Sequence, residues 1–152
     1  MNTLVFVCHG NICRSPMAER VARRRAAERG LELEIVSFGV SAEEERNPID
    51  RRAARILTEA GYDATGHRAR RITREDIDAA DLVIAAEPHH IARMRRLAPD
   101  AENLALLNDF NPALPKGTPL DDPWYGSESG FKDTLADIEA AMDAILDEAV
   151  AR

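Results

Sequence analysis

The stretch Val7-Cys8-His9-Gly10-Asn11-Ile12-Cys13-Arg14-Ser15-Pro16 governs how the rest of the chain is read. Before it runs Thr3–Val7, a short apolar segment rich in β-branched and aromatic residues, which suits a buried strand. After it, Ser15-Pro16 has the character of an N-cap and first-turn pair, opening a helix that Gly30 ends. The predicted unit is strand, tight loop, helix. Both cysteines of the 152-residue chain lie in that loop. Two thiols so close in sequence cannot staple a fold, so their reason for being there is chemical or local.

Working outward, the same alternation repeats. Leu33–Phe38, closed by Gly39, is a second strand candidate. Ala53, Ile56, Leu57 and Ala60 fall at helical spacing, with Gly61 as the stop. Thr73 is placed to cap a short helix, Asp81–Ala86 is a buried-strand run, Ile91, Met94 and Leu97 mark another helix, and Asn103–Leu107 a last strand. Residues 108–130, with Pro112, Pro115, Pro119 and Pro123, form a long loop. The final helix carries an inner stripe of Phe131, Leu135, Ile138, Met142, Ile145 and Val150. Strands alternating with helices predict a single α/β domain over residues 1–152, a parallel sheet with helices on both faces. Such sheets bind ligands at the carboxyl ends of their strands, where the cysteine loop lies.

Composition narrows the function. A net charge of −7 argues against binding nucleic acid through a basic field. That average hides arginines clustered in 14–29 and 46–74, and nine acids against one lysine in 121–148. No run approaches the roughly 20 apolar residues that span a bilayer. With no leader-like segment and no disulfide framework, the expected location is the cytoplasm, without a membrane partner.

The loop itself is built for an anion. Gly10 tolerates a positive φ, so successive N–H groups can turn inward as a nest. The helix behind adds unpaired N–H groups and the positive end of its dipole. Arg14 offers a planar fork for two phosphate oxygens. A cysteine facing this nest sits in a positive potential, which favours the nucleophilic thiolate. Ser15 can hydrogen-bond that sulfur, and Asn11 can hold the loop in shape through side-chain-to-backbone bonds.

Cys8-His9-Gly10-Asn11-Ile12-Cys13-Arg14-Ser15-Pro16 resembles the phosphate loop of the low-molecular-weight protein tyrosine phosphatases. A second segment, Asp121-Asp122-Pro123-Trp124-Tyr125-Gly126, is similar to the family's Asp-Pro-aromatic-aromatic stretch. The length, the strand–helix order and His67-Arg68-Ala69-Arg70 fit the same family. The resemblance implies a four-stranded parallel sheet with an N-terminal phosphate-binding loop, and two-step hydrolysis of phosphotyrosine through a phosphocysteine, without metal or cofactor. Cys8 would be the nucleophile, Arg14 the phosphate clamp and Asp122 the general acid. The proline after Asp122 restricts that residue to extended backbone that can hold it over the site. His9, Gly10, Asn11, Ile12, Cys13 and Ser15 would surround the phosphate, and Trp124 and Tyr125 would wall the aryl ring. The implied partners are a phosphotyrosine protein, a bacterial-type tyrosine kinase that supplies it, and inorganic phosphate as product.

The chain departs from the family at Glu87, where many relatives carry Asp, at Ser37-Phe38-Gly39-Val40, and at Trp124 in place of the first of two tyrosines. Cys13 has two open readings, packing residue or disulfide partner of Cys8. His9 either flanks the substrate or is simply exposed. Adjacent His89 and His90 should point apart on a helix, which with His67 isolated leaves no metal cluster. Arg20, Arg51 and Arg52 are candidates to ring the mouth of the site. Other chemistries on the same fold are a protein arginine phosphatase, disfavoured by Ile12, and an arsenate reductase, disfavoured because no cysteine follows Cys13. A non-catalytic phosphate-binding adaptor would be expected to lack Cys8 or Asp122.

Overall fold

The computed structural model describes residues 1–152. In chain order the elements are β1 (Asn2–Cys8), α1 (Arg14–Glu28), β2 (Leu33–Gly39), α2 (Arg51–Glu59), α3 (Arg74–Ala79), β3 (Leu82–Ala85), α4 (Pro88–Leu97), β4 (Leu104–Leu106) and α5 (Glu128–Ala151). Two short 3-10 turns, Leu107–Phe110 and Pro123–Tyr125, interrupt the long segment before α5. The four strands form one parallel sheet in the order β2-β1-β3-β4. The β1–β2 register runs from Asn2 opposite Leu33 to Cys8 opposite Gly39, so those last two residues sit side by side at the carboxyl edge.

Strand alternation divides the core in two. Leu4, Phe6 and Cys8 on β1 face a cluster built with Met17, Val21, Leu57, Phe131, Ile138 and Met142 from α1, α2 and α5. Val5 and Val7 face a smaller cluster with Ile72, Ile77, Val83 and Met94, under α3 and α4. Burial of both faces explains why β1 and β3 read as continuous apolar runs. The caps are as expected at Thr73, whose hydroxyl and Asp76 form a reciprocal capping box. Asp50 caps α2 through the N–H groups of Arg52 and Ala53, and Gly61 leaves the helix at φ +91°.

Three expectations need correcting. α1 begins at Arg14 with Cys13 in the cap position, so Ser15 is not the N-cap; its hydroxyl is engaged in the loop instead. β4 stops at Leu106 because Leu107 already turns into a 3-10 helix. Val150 is 45% exposed and not part of the α5 stripe, which continues through Leu146 and Ala149. At about 100° per residue, Val150 lies roughly 80° around the helix from Met142.

Candidate active site

The loop after β1 is shaped from outside. Donors from the scaffold take its carbonyl oxygens: Val40 N–H to Cys8 O at 3.0 Å, Ser41 N–H to His9 O at 3.0 Å, and Asp50 N–H to Ile12 O at 2.9 Å. His67 Nε2 donates to Asn11 O at 2.6 Å. Meanwhile no backbone N–H from His9 to Cys13 donates within the chain. Carbonyls tied outward and amides left over are the makings of an anion nest.

The positive φ that the turn needs belongs to Asn11, at 61°, and not to Gly10. Asparagine tolerates that region because its side chain bonds locally. Asn11 is fully buried, and its bonds are largely to other side chains: Nδ2 donates to Ser15 Oγ at 2.8 Å and Ser37 Oγ at 3.0 Å, and Oδ1 accepts from Arg70 N–H at 3.1 Å. Gly39, beside Cys8, has its own reason. A Cβ there would sit 2.7 Å from His9 O and 3.1 Å from Asn11 N, so only glycine lets the loop pack against β2. The Ser37 and Gly39 contributions are invisible in the loop's own sequence.

Cys8, His9, Gly10, Ile12, Cys13, Arg14, Asp122, Trp124 and Tyr125 line one cavity of about 270 Å³. Asn11 and Ser15, also expected at the phosphate, lie beneath the loop as its frame. Ser15 Oγ is 3.0 Å from Cys8 Sγ, accepts from Asn11 Nδ2 and is 3.2 Å from Phe38 O. Both cysteines are free and buried. Burial, and then the charges of Asp50, Cys8 and Asp122, push the Cys13 thiol far above its ordinary value. Cys13 therefore stays a thiol, while Cys8 Sγ has the Ser15 hydroxyl as its neighbour.

Arg14 is buried, and its Nη1 is held by Glu87 Oε2 and Leu120 O, each at 2.7 Å. Nη2 lies 3.5 Å from Asp122 Oδ2, which leaves Nε and Nη2 to grip an oxyanion. Asp122 has the extended backbone expected before proline, with φ −84° and ψ 110°, and its Oδ1 accepts from Trp124 N–H at 3.1 Å. Trp124 and Tyr125 are 43% and 87% exposed, which fits walls of a cleft and not core residues.

Sequence reasoning missed Glu43 and Glu44, which line the mouth; His9 Nε2 lies 3.3 Å from Glu43 Oε2. Of the arginines expected there, Arg52 reaches the acid loop, donating to Trp124 O at 3.3 Å with its guanidinium over the Trp124 ring. Arg20 bonds Glu19, Asp63 and Thr65 elsewhere, and Arg51 lines no part of this cavity.

Glu87 was also unassigned, and it changes the reading of the histidines. His89 and His90 do not point apart: their ring centroids are 4.2 Å apart, and with Glu87 they offer ligand atoms within 4.8 Å of one another. His90 Nδ1, however, accepts the Glu87 N–H at 3.1 Å, so in the neutral ring Nε2 carries the proton and faces the Glu87 carboxylate at 3.9 Å. The Nδ1 lone pair is thus already engaged, while Nε2 makes no hydrogen bond, so His90 holds the Glu87 backbone next to the Glu87–Arg14 pair. Burial, reinforced by Arg14, pushes the His90 imidazolium down to a pKa of about 3, so the ring is neutral at physiological pH.

Comparison with known proteins agrees with this geometry. The sequence model for "Low molecular weight phosphotyrosine protein phosphatase" matches residues 3–152. A low molecular weight protein-tyrosine-phosphatase of Streptomyces coelicolor is 40% identical over 147 residues, 93% of this chain and 89% of the relative. Among solved structures, a protein tyrosine phosphatase from Entamoeba histolytica superposes with a TM-score of 0.93 over 99% of this chain and 98% of its own; at 24% identity that likeness speaks to the fold. Vibrio vulnificus Wzb, solved in complex with benzylphosphonate, superposes with a TM-score of 0.86 at 26% identity, covering 97% of this chain and 98% of its own. The match over nearly the whole chain leaves no doubt about kinship: the protein belongs to the low molecular weight phosphotyrosine protein phosphatase family.

Proposed function

We propose that the protein hydrolyses phosphotyrosine in proteins, and aryl phosphates generally, through a phosphocysteine. One observation carries the reading: Cys8 Sγ, supported by Ser15 Oγ at 3.0 Å, shares a cavity with a carboxylate, Asp122, that faces the phosphate-gripping Arg14. Nucleophile, clamp and acid converge where a phosphate ester would lie.

In the first step the Cys8 thiolate attacks phosphorus, the S–P bond forms and the P–O bond to the aryl group breaks. Asp122, entering as the carboxylic acid, gives its proton to the departing phenolate oxygen. The inward N–H groups and Arg14 hold the equatorial oxygens as charge develops on them. In the second step the Asp122 carboxylate takes a proton from water, the resulting hydroxide attacks phosphorus, and the S–P bond breaks with its electron pair returning to Cys8. Ser15 O–H steadies the departing thiolate, and inorganic phosphate leaves. Trp124 and Tyr125 suit a flat aryl group, and a benzylphosphonate in the Vibrio relative has the same pairing of ring and phosphorus dianion. We place the chain in the cytoplasm on its two free thiols; no helix is long and apolar enough to cross a membrane. The partner this implies is a bacterial-type tyrosine kinase that makes the substrate.

The test is hydrolysis of p-nitrophenyl phosphate and a phosphotyrosine peptide at mildly acidic pH with a chelator present. Wild type should turn over both and Cys8→Ser neither. Equal rates in the two proteins would remove Cys8 as nucleophile, and no turnover by either, with phosphate still binding, would leave a phosphate-binding adaptor.

A further inference from the structure

A second concavity lies behind the phosphate loop and shares no lining residue with the catalytic one. It has a volume of about 290 Å³ and is bounded by Glu19, Arg20, Arg23, Ser37, Gly66, His67, Arg68 and Arg70, without a single apolar side chain. Pockets for organic ligands are mostly apolar; this one is not. Four guanidiniums stand against one carboxylate, three positive charges in excess, in a chain whose net charge is −7.

Two of the four cations, Arg20 and Arg23, are arranged before any ligand arrives. Arg20 is fixed by Nε on Glu19 and Nη1 on the carbonyls of Asp63 and Thr65, which leaves its Nη2 without a partner. Arg23 is fixed by Nε and Nη2 on Ile35 O, which leaves its Nη1. Arg70 lies over the Phe38 ring at 4.3 Å, and Arg68 makes no hydrogen bond or ion pair. Glu19, 3% exposed, is already satisfied by Ser37 Oγ at 2.7 Å and by Arg20 and Arg23, so its charge is answered within the wall. Donors held in place lower the ordering penalty of binding a small polyanion.

We propose that this cavity binds a small phosphate-class oxyanion, of which inorganic pyrophosphate is the simplest probe. The floor of the cavity is joined to the nucleophile by an unbroken run of hydrogen bonds: Glu19 to Ser37, Ser37 to Asn11, Asn11 to Ser15, Ser15 to Cys8. His67, the other floor residue, holds the Asn11 carbonyl. An anion that draws Arg20 and Arg23 away from Glu19 therefore alters the frame of the phosphate loop. The binding stands on the cavity alone; its effect on turnover rests on the phosphatase reading above.

The experiment is a titration of the full chain with inorganic pyrophosphate, followed by backbone amide NMR shifts. Two saturable responses are expected, one at Gly10–Ser15 and one at Gly66–Arg70. Arg68→Glu, at an exposed side chain without bonds to lose, should weaken the second by about tenfold or more and leave the first in place. Added salt should weaken the second response as well. No saturable response at Gly66–Arg70, or one that Arg68→Glu retains at full affinity, would overturn the site. A cavity response without any loop response would uphold the site and overturn its link to the phosphate loop, whereas the phosphatase reading stands or falls on turnover of p-nitrophenyl phosphate.

Discussion

The two loops that line the catalytic cavity, Cys8–Arg14 and Asp122–Tyr125, are held very differently. In the phosphate loop the carbonyls of Cys8, His9, Asn11 and Ile12 each accept from a donor outside the loop, at 3.0, 3.0, 2.6 and 2.9 Å. In the acid loop the ties are few and long. Arg52 Nη1 reaches Trp124 O at 3.3 Å and Gly126 O at 3.5 Å, and Thr134 Oγ1 reaches Asp121 O at 3.4 Å. Arg55 pairs with Glu128 just beyond it. Hydrogen bonds weaken steeply at such lengths. Cys8, the proposed nucleophile, sits in an over-determined frame, which keeps the dipoles around it fixed. Asp122, the proposed acid, sits on a loosely tied strap, which suits a wall that has to admit a bulky ring and release it. Rigidity is concentrated where charge develops.

That contrast can be broken at either loop. The largest effect belongs to Cys8→Ser, which should reduce turnover of p-nitrophenyl phosphate to background while inorganic phosphate still binds, as measured by titration. Asp122→Ala should slow hydrolysis of a phosphotyrosine peptide by around 10²–10³-fold, and a leaving group that departs without a proton much less. If Asp121→Ala has that signature instead, the acid is the neighbouring residue.

The third effect is a dependence of stability on pH. His90 has a folded-state pKa of about 3, against an ordinary value of 6.5. Between those values the unfolded chain binds a proton that the native chain refuses, so stability is full above pH 6.5 and falls as pH drops toward 3. The loss is on the order of a few kcal/mol. Denaturant titrations across that window should show the slope, and His90→Asn, which keeps an acceptor for the Glu87 N–H, should flatten it. A slope unchanged in that variant would assign it to other groups.

Gly39→Ala probes the frame of the phosphate loop. A methyl placed 2.7 Å from His9 O forces the backbone apart, with an expected destabilisation of about 1–3 kcal/mol and a fall in kcat larger than any rise in KM. A variant of native stability and full activity would mean that the loop yields more easily than its hydrogen bonds suggest. The smallest effect should come from Arg52→Ala. Its contacts with the strap, a cation–π contact with Trp124 and long hydrogen bonds, are worth about 1 kcal/mol or less and should appear as a few-fold change in kinetics, while the lost ion pair with Asp50 at 3.1 Å should lower the melting temperature slightly. A drop comparable to that of Asp122→Ala would show that the strap is as strictly positioned as the loop.

Much of this was legible before any fold was known. Cys8, Arg14 and Asp122 sit in short runs whose chemistry is local: a strand-to-helix turn makes a nest, and a proline extends the residue before it. Helix stops at Gly30 and Gly61 and the cap at Thr73 follow from backbone preferences of single residues. The misread positions are those where a neighbour in space outweighs one in sequence. Ser15 looked like a helix cap, but the packed loop gives its hydroxyl better partners in Cys8, Asn11 and Phe38. Gly10 looked like the hinge, but buried bonds to Ser15, Ser37 and Arg70 let Asn11 carry the positive φ. His89 and His90 looked separate until Glu87 drew both rings toward Arg14.

The local string therefore carries the chemistry proposed here, because a nucleophile, a clamp and an acid depend on residue type and on a turn a few residues long. The parallel sheet decided the rest. It brings Gly39, Glu87 and Leu120, far apart in the chain, to the same carboxyl edge as Cys8, and it leaves an arginine-lined hollow behind the loop. Contacts of that kind arise from packing distant segments around a shared core, and no local spacing encodes them.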